Sequence, residues 1–100
     1  MYDKRMEYPL LLSPLQIGEL TLPNRIVMPP MVTFLAEEDG LVTQAHLDHY
    51  ERSAGPGLMI VEGTAVSPEG RISERQLGIY SDRHIDGFAR IANIIKAGGP

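Results

Sequence analysis

Two unbroken apolar runs, Ile26-Val27-Met28 and Leu58-Met59-Ile60-Val61, punctuate the chain. Neither alternates with polar residues, so both are predicted as parallel strands buried on both faces. Pro29 and Pro30 end the first run, because a residue without an N–H cannot continue a central ladder. The second run leads on toward Glu62-Gly63-Thr64-Ala65-Val66. Between the runs the period changes to that of a helix: Leu47, Tyr50 and Ala54 fall on one stripe, Thr43 can cap it, and Gly55-Pro56-Gly57 stops it. A final helix is predicted from Ile85, Phe88, Ile91 or Ala92, and Ile95, capped by Ser81 or Asp82. Gly98-Gly99 ends it, and Pro100 cannot extend it.

Ahead of the first run, Leu15 to Leu22 alternates apolar and polar residues around Gly18-Glu19, the pattern of a two-stranded hairpin. The prolines around Leu10 to Leu15 argue against a helix there, and residues 1–9, without a period, read as an amino-terminal arm. Thr33 to Leu41 is predicted as a loop, Ser67 to Gly70 as a turn, and Arg71 to Tyr80 as a long loop. The order is hairpin, β, α, β, α, which implies parallel strands joined by right-handed crossovers. In a β/α barrel the carboxyl ends of such strands bind ligands, so the stretches after Met28 and Val61 are where a site is expected.

Composition narrows the function classes. Apolar residues make up 43% and charged residues 22%, ordinary for a globular chain. The formal net charge of −4 gives no footing for nucleic-acid binding. With no cysteine there is neither a disulfide framework nor a thiolate metal site. No apolar run approaches the ~18 residues of a membrane span, and the start lacks a signal-peptide pattern, so a cytoplasmic protein is expected. Glu37, Glu38 and Asp39 lack the alternating spacing of a calcium loop and read as a solvated turn. His46 and His49 could share a helix face, but no third zinc ligand lies near, and surface or interface positions are expected. Arg71, Arg75, Arg83 and Arg90 are interleaved with acids and read as a mixed solvated surface. Arg25 is expected to anchor the start of the first strand.

The stretch Asn24-Arg25-Ile26-Val27-Met28-Pro29-Pro30-Met31 resembles the first barrel strand of the Old Yellow Enzyme family, the FMN-dependent NAD(P)H:flavin oxidoreductases. Further segments follow in matching order: Asp39 to Thr43, His49-Tyr50, Ile60 to Val66, Pro68 to Arg71, and Leu77 to Asp82. The resemblance implies a (β/α)8 barrel of roughly 250 residues. Of this, residues 10–100 would be the amino-terminal quarter, a hairpin followed by two βα units. It also implies hydride transfer from NAD(P)H through FMN to an activated alkene, with a homo-oligomeric, cytoplasmic protein as the setting. The competing expectation is a non-catalytic barrel fragment that self-associates through its open strand edges.

The resemblance also assigns residues. Pro29, Pro30, Met31 and Val32 would wrap backbone around the flavin ring, and Gly63 would let the ring's edge come close. Val32 stands where many members carry threonine or cysteine, whose side chain tunes the flavin; valine cannot donate that bond. Thr33 is a candidate substitute that should point elsewhere. Phe34 stands where some members use tyrosine to contact substrate, keeping the apolar face and losing the hydroxyl. Glu62 is read as a paired structural anion with no catalytic role. The family's substrate-orienting His-His or His-Asn pair, its usual proton-donating tyrosine and its main phosphate-binding segments are expected beyond Pro100.

Overall fold

The protein is described by a computed structural model covering residues 4–98. It opens on α1 (Lys4–Glu7), a single helical turn where an irregular arm was expected. The turn stops before Tyr8-Pro9, because a residue preceding proline is pushed out of the α region. The rest of the expected arm, Met1 to Asp3, lies outside the described residues. The apolar stretch from Leu10 to Leu12 is a turn and not a helix, with Leu12 N–H on Tyr8 O and Ser13 N–H on Leu10 O, both 3.1 Å. Arg25 ties this turn to the start of the first apolar run: its N–H reaches Leu11 O at 2.9 Å, and its Nε donates to Ser13 Oγ at 3.2 Å.

The predicted hairpin is present, with β1 (Leu15–Ile17) antiparallel to β2 (Leu20–Leu22) in the register Leu15 to Leu22. Gly18 takes a φ of +59° at the first of the two turn positions, where a side chain would be strained. The two apolar runs form β3 (Val27–Met28) and β4 (Leu58–Met59), paired in parallel as predicted. Their expected burial on both faces is not what the structure shows. Ile26 and Ile60 are exposed, and Val27 keeps 48% of its surface in solvent. A two-stranded sheet has an edge on each side, and a parallel strand is fully covered only when neighbouring strands flank it.

A second pairing lies inside the stretch read as a loop. Ala65 forms a parallel bridge to Gly78, with Ala65 N–H on Leu77 O (2.9 Å) and Ile79 N–H on Ala65 O (2.8 Å). Gly78 N–H also reaches Gly40 O at 2.9 Å, so three loops meet at one point.

Helices α2 (Gln44–Ser53) and α3 (Ile85–Gly98) pack along each other. Glycines govern both ends of that contact. A Cβ on Gly87 would overlap the Val42 side chain just ahead of α2, and one on Gly98 would overlap Ala54 just after it. Start therefore meets start and end meets end, so the helices run parallel, as consecutive βα units require. α2 begins on a capping box in which Thr43 N–H donates to His46 Nδ1 at 2.9 Å, a histidine taking the place of the usual acid or amide. Ahead of α3 the same spacing recurs without the backbone bond, the Ser81 hydroxyl lying 3.0 Å from His84 Nδ1.

The interior is nearly as polar as it is apolar. Leu22, Ala36, Tyr50, Ala65, Leu77 and Ile91 are buried, and so are Asn24, His46, Glu62, Gln76 and His84. The expected helix stripe is shifted accordingly: His46 and Tyr50 face inward while Leu47 is only half-buried. His46 is therefore not a surface histidine. Asn24 joins the β3 start to the α2–β4 connection, accepting from Ile26 N–H (3.0 Å) and Gly57 N–H (2.6 Å) and donating to Gly55 O (2.9 Å).

Asn24→Ala would strand two donors and an acceptor, and a loss of roughly 3 kcal/mol is expected in urea unfolding. A loss below about 1 kcal/mol would show that water replaces the amide. Burial of His46, helped by His49 and opposed by Glu62, lowers its pKa. The unfolded chain then binds more protons than the folded one once pH falls below about 6.5, so stability drops through that point and levels off below the lowered folded value. Unfolding free energies measured between pH 8 and pH 5 should decline on the acid side, and His46→Gln should flatten that decline.

Candidate functional site

The parallel pairing extends one step past the strands, with Ile60 N–H on Met28 O at 3.0 Å. Both segments then leave the ladder together, the first at Pro29 and the second at Val61. Pro29 and Pro30 are exposed, Met31 keeps 71% of its surface in solvent, and Val32 turns back half-buried. Val32 meets Gly63: a Cβ on Gly63 would lie 3.2 Å from Val32 Cγ2 and 3.7 Å from Gln76 Nε2. Gln76 holds this strip in place, donating to Gly63 O at 3.1 Å while its own oxygen accepts Ile72 N–H at 2.6 Å. Neither the Val32 nor the Gly63 N–H has a hydrogen-bond partner among the described residues. Two free backbone donors thus flank a strip bordered by proline, methionine and valine.

Beneath the strip lies Glu62, whose side chain is fully enclosed. Its carboxylate accepts from Tyr50 OH at 2.9 Å, from the Thr33 hydroxyl at 3.0 Å and from Thr33 N–H at 3.3 Å. Tyr50 closes the loop, its phenolic oxygen accepting Glu62 N–H at 3.0 Å. Burial raises the Tyr50 pKa far above its ordinary value, with the neighbouring carboxylate adding to the shift. His46 Nε2 stands 3.7 Å from Glu62 Oε1, too far for a hydrogen bond, and is buried without a partner. Because Nδ1 accepts from Thr43, the proton of the neutral ring sits on Nε2 and faces the carboxylate. The Thr33 hydroxyl is thus committed to Glu62 and points away from the strip.

Phe34 has a φ of +57°, a conformation that few non-glycine residues adopt, and the residue is 44% exposed. Arg75 fixes that conformation, with Nε donating to Phe34 O at 3.0 Å and its carbonyl accepting Ala36 N–H at 3.1 Å. The structure brings Val32 and Gly63 together, with Gln76 beside them.

The acidic run departs from its reading as a solvated turn. Glu37 and Glu38 are exposed, but Asp39, at a φ of +51°, accepts from Tyr80 OH at 2.6 Å and from Arg83 Nη1 at 3.0 Å. The Tyr80 bond and the Arg83 charge hold its carboxyl below the ordinary range, against the effect of burial, and the same bond raises Tyr80. His84 Nε2 donates to Asp39 O at 2.7 Å, joining this loop to α3. No group of three metal-ligating side chains occurs among the described residues.

The geometry has close counterparts. A NADPH dehydrogenase of Bacillus subtilis (strain 168) is 48% identical over 92 residues, covering 89% of this chain and 27% of the relative. The old yellow enzyme of Trypanosoma cruzi superposes with a TM-score of 0.79 at 39% identity, over 91% of this chain and 25% of that one. A morphinone reductase solved in complex with tetrahydroNAD gives a TM-score of 0.79 at 32% identity, over 88% and 24%. The chain therefore spans about a quarter of the length of these relatives, and its fold is part of the barrel they share. The family model for the NADH:flavin oxidoreductase / NADH oxidase family matches residues 10–100, and the chain belongs to that family.

Proposed function

We propose that the complete protein is an FMN-dependent oxidoreductase that moves hydride from NAD(P)H to an activated alkene. The observation that carries this reading is the pairing of Val32 with Gly63: an apolar strip with two unpartnered backbone N–H groups, beyond the carboxyl ends of two parallel strands. A flavin ring has the matching chemistry, flat and apolar across its faces and hydrogen-bonding along one edge. Bound there, FMN supplies the two-electron relay between nicotinamide and alkene. The chain's own residues place it. Pro29, Pro30 and Met31 form the apolar wall, and the Val32 and Gly63 N–H groups meet the polar edge. The absence of a side chain at Gly63 keeps the approach open. Phe34 is assigned a steric or stacking contact with substrate, which its exposure permits. The names of the relatives, NADPH dehydrogenase and old yellow enzyme, agree with this chemistry. A small-molecule substrate and a cytoplasmic, homo-oligomeric protein complete the reading; no described helix is long and apolar enough to cross a membrane.

The exposed apolar edge of β3 and β4 favours a second reading for these 100 residues alone: self-association without turnover. Ile26, Val27, Ile60 and Met31 are all exposed beside unpaired strand backbone. Light scattering on the isolated chain is expected to show oligomers, and an NAD(P)H oxidation assay to show no turnover. A monodisperse monomer that turns over substrate would exclude this reading.

The complete protein is expected to carry visible flavin absorbance or to take up added FMN with quenching of the flavin fluorescence. Gly63→Val should weaken FMN binding roughly tenfold by pinching the strip against Val32, while circular dichroism stays unchanged. Wild-type protein that neither contains nor binds FMN would end the proposal. Unchanged affinity in the variant would remove Gly63 from the site.

A further inference from the structure

The Glu62 carboxylate is buried, bears no assigned role in hydride transfer, and is joined to two separate parts of the chain, Thr33 after β3 and Tyr50 on α2. We infer that Glu62 is the positioning residue of the cofactor strip, holding Val32 at its distance from Gly63 through Thr33. The inference rests on the proposed FMN site and deepens it. Glu62 directly precedes Gly63, and Thr33 directly follows Val32. One carboxylate therefore links the two segments that carry the free N–H groups, one residue away from each. It grips Thr33 twice, through the backbone N–H at 3.3 Å and the hydroxyl at 3.0 Å, so that both the position and the rotation of this residue are set. Tyr50 fixes the other side of the carboxylate from α2, at 2.9 Å, and also accepts Glu62 N–H. His46, from the turn before Tyr50, presents an Nε2 proton at 3.7 Å that no other group accepts.

Had the carboxylate been present only to neutralise a cation, an arginine or lysine would face it. Instead the groups bonded to it are a hydroxyl, a phenol and a backbone amide, all of them directional donors. Such a set fixes geometry and contributes little long-range field. Gln76 holds the Gly63 side of the strip, but the Pro29–Met31 side lacks such a device: Pro29 and Pro30 donate nothing, and the Met31 side chain is in solvent. Without the Glu62 link, the next anchors of the segment after β3 are the Phe34 and Leu35 carbonyls, held by Arg75 and Thr43, and the Val32 N–H gains freedom to shift relative to the Gly63 N–H.

The test uses the complete protein and FMN itself as the probe. Glu62→Gln keeps the shape and removes the charge: with its remaining oxygen toward Tyr50, its amide NH2 faces the Thr33 N–H, donor against donor, and that backbone bond is lost. It should raise the FMN Kd roughly tenfold and shift the visible flavin spectrum, since a charged hydrogen bond of this kind is worth about one order of magnitude in binding. Thr33→Val should produce a smaller rise, and the double variant should add little to Glu62→Gln, because both changes cut the same link. Thr33→Ser, which restores the hydroxyl, should return the wild-type Kd and spectrum. If Glu62→Gln lowers the melting temperature but leaves Kd and spectrum unchanged, Glu62 is a structural anion only and the inference fails. If the two substitutions add independently, the link through Thr33 is wrong. Failure of the wild-type protein to bind FMN would instead strike the cofactor reading, a result distinct from either.

Discussion

A buried carboxylate must find donors or it cannot stay charged, and this requirement organises the part of the chain that matters most. Isolated in an apolar interior, the Glu62 side chain would cost several kcal/mol. The fold meets that demand by bringing it a phenol from α2 and both the hydroxyl and the amide of Thr33 from the segment after β3, while the Glu62 N–H holds the Tyr50 oxygen in turn. The two donating residues belong to different elements. Satisfying one charge thereby fixes a helix, a strand end and a loop relative to one another.

The same logic recurs wherever apolar burial is thin. Asn24 closes the β3 start onto the Gly55 to Gly57 turn, Gln76 spans Gly63 and Ile72, and Asp39 gathers Tyr80, Arg83 and His84. These links stand in for the hydrophobic contact that a sheet of two short strands cannot supply. They are directional, so they specify loop geometry more closely than a greasy core would. The site sits on loops, and loops need that kind of specification.

Much of the architecture was legible in the order of residues. The alternation around Gly18-Glu19, the helical stripes and the two apolar runs predicted the hairpin, both helices and the parallel pair. What was not legible was the surroundings of each element. Ile26 and Val27 read as buried because the pattern of a strand says nothing about whether its neighbours are present. His46 read as a surface residue, although Thr43-Gln44-Ala45-His46 has the spacing of a capping box, repeated in Ser81-Asp82-Arg83-His84; that repetition was the available signal. Leu77 to Ile79 has no period because it pairs through a single bridge to Ala65, too short for any pattern to register. For the candidate site, Val32 and Gly63 meet, a contact that no sequence pattern announced. Thr33 does point elsewhere, as its place after Val32 implied, but its destination depends on a contact 29 residues away in sequence, to Glu62.

The glycines at the two ends of the α2–α3 contact have a bearing on the whole ring. With Gly87 against Val42 and Gly98 against Ala54, the missing side chains let the chain ends of α2 come close to α3 at both ends of the contact. In a closed barrel the angular steps between successive units must sum to one full revolution. A methyl group at Gly87 alone would splay the helices at one end, and the excess angle would have to be absorbed in gaps elsewhere around the circumference. The smallest residue thus acts as a surveyor's mark, setting how far the sheet turns before the next strand is laid down.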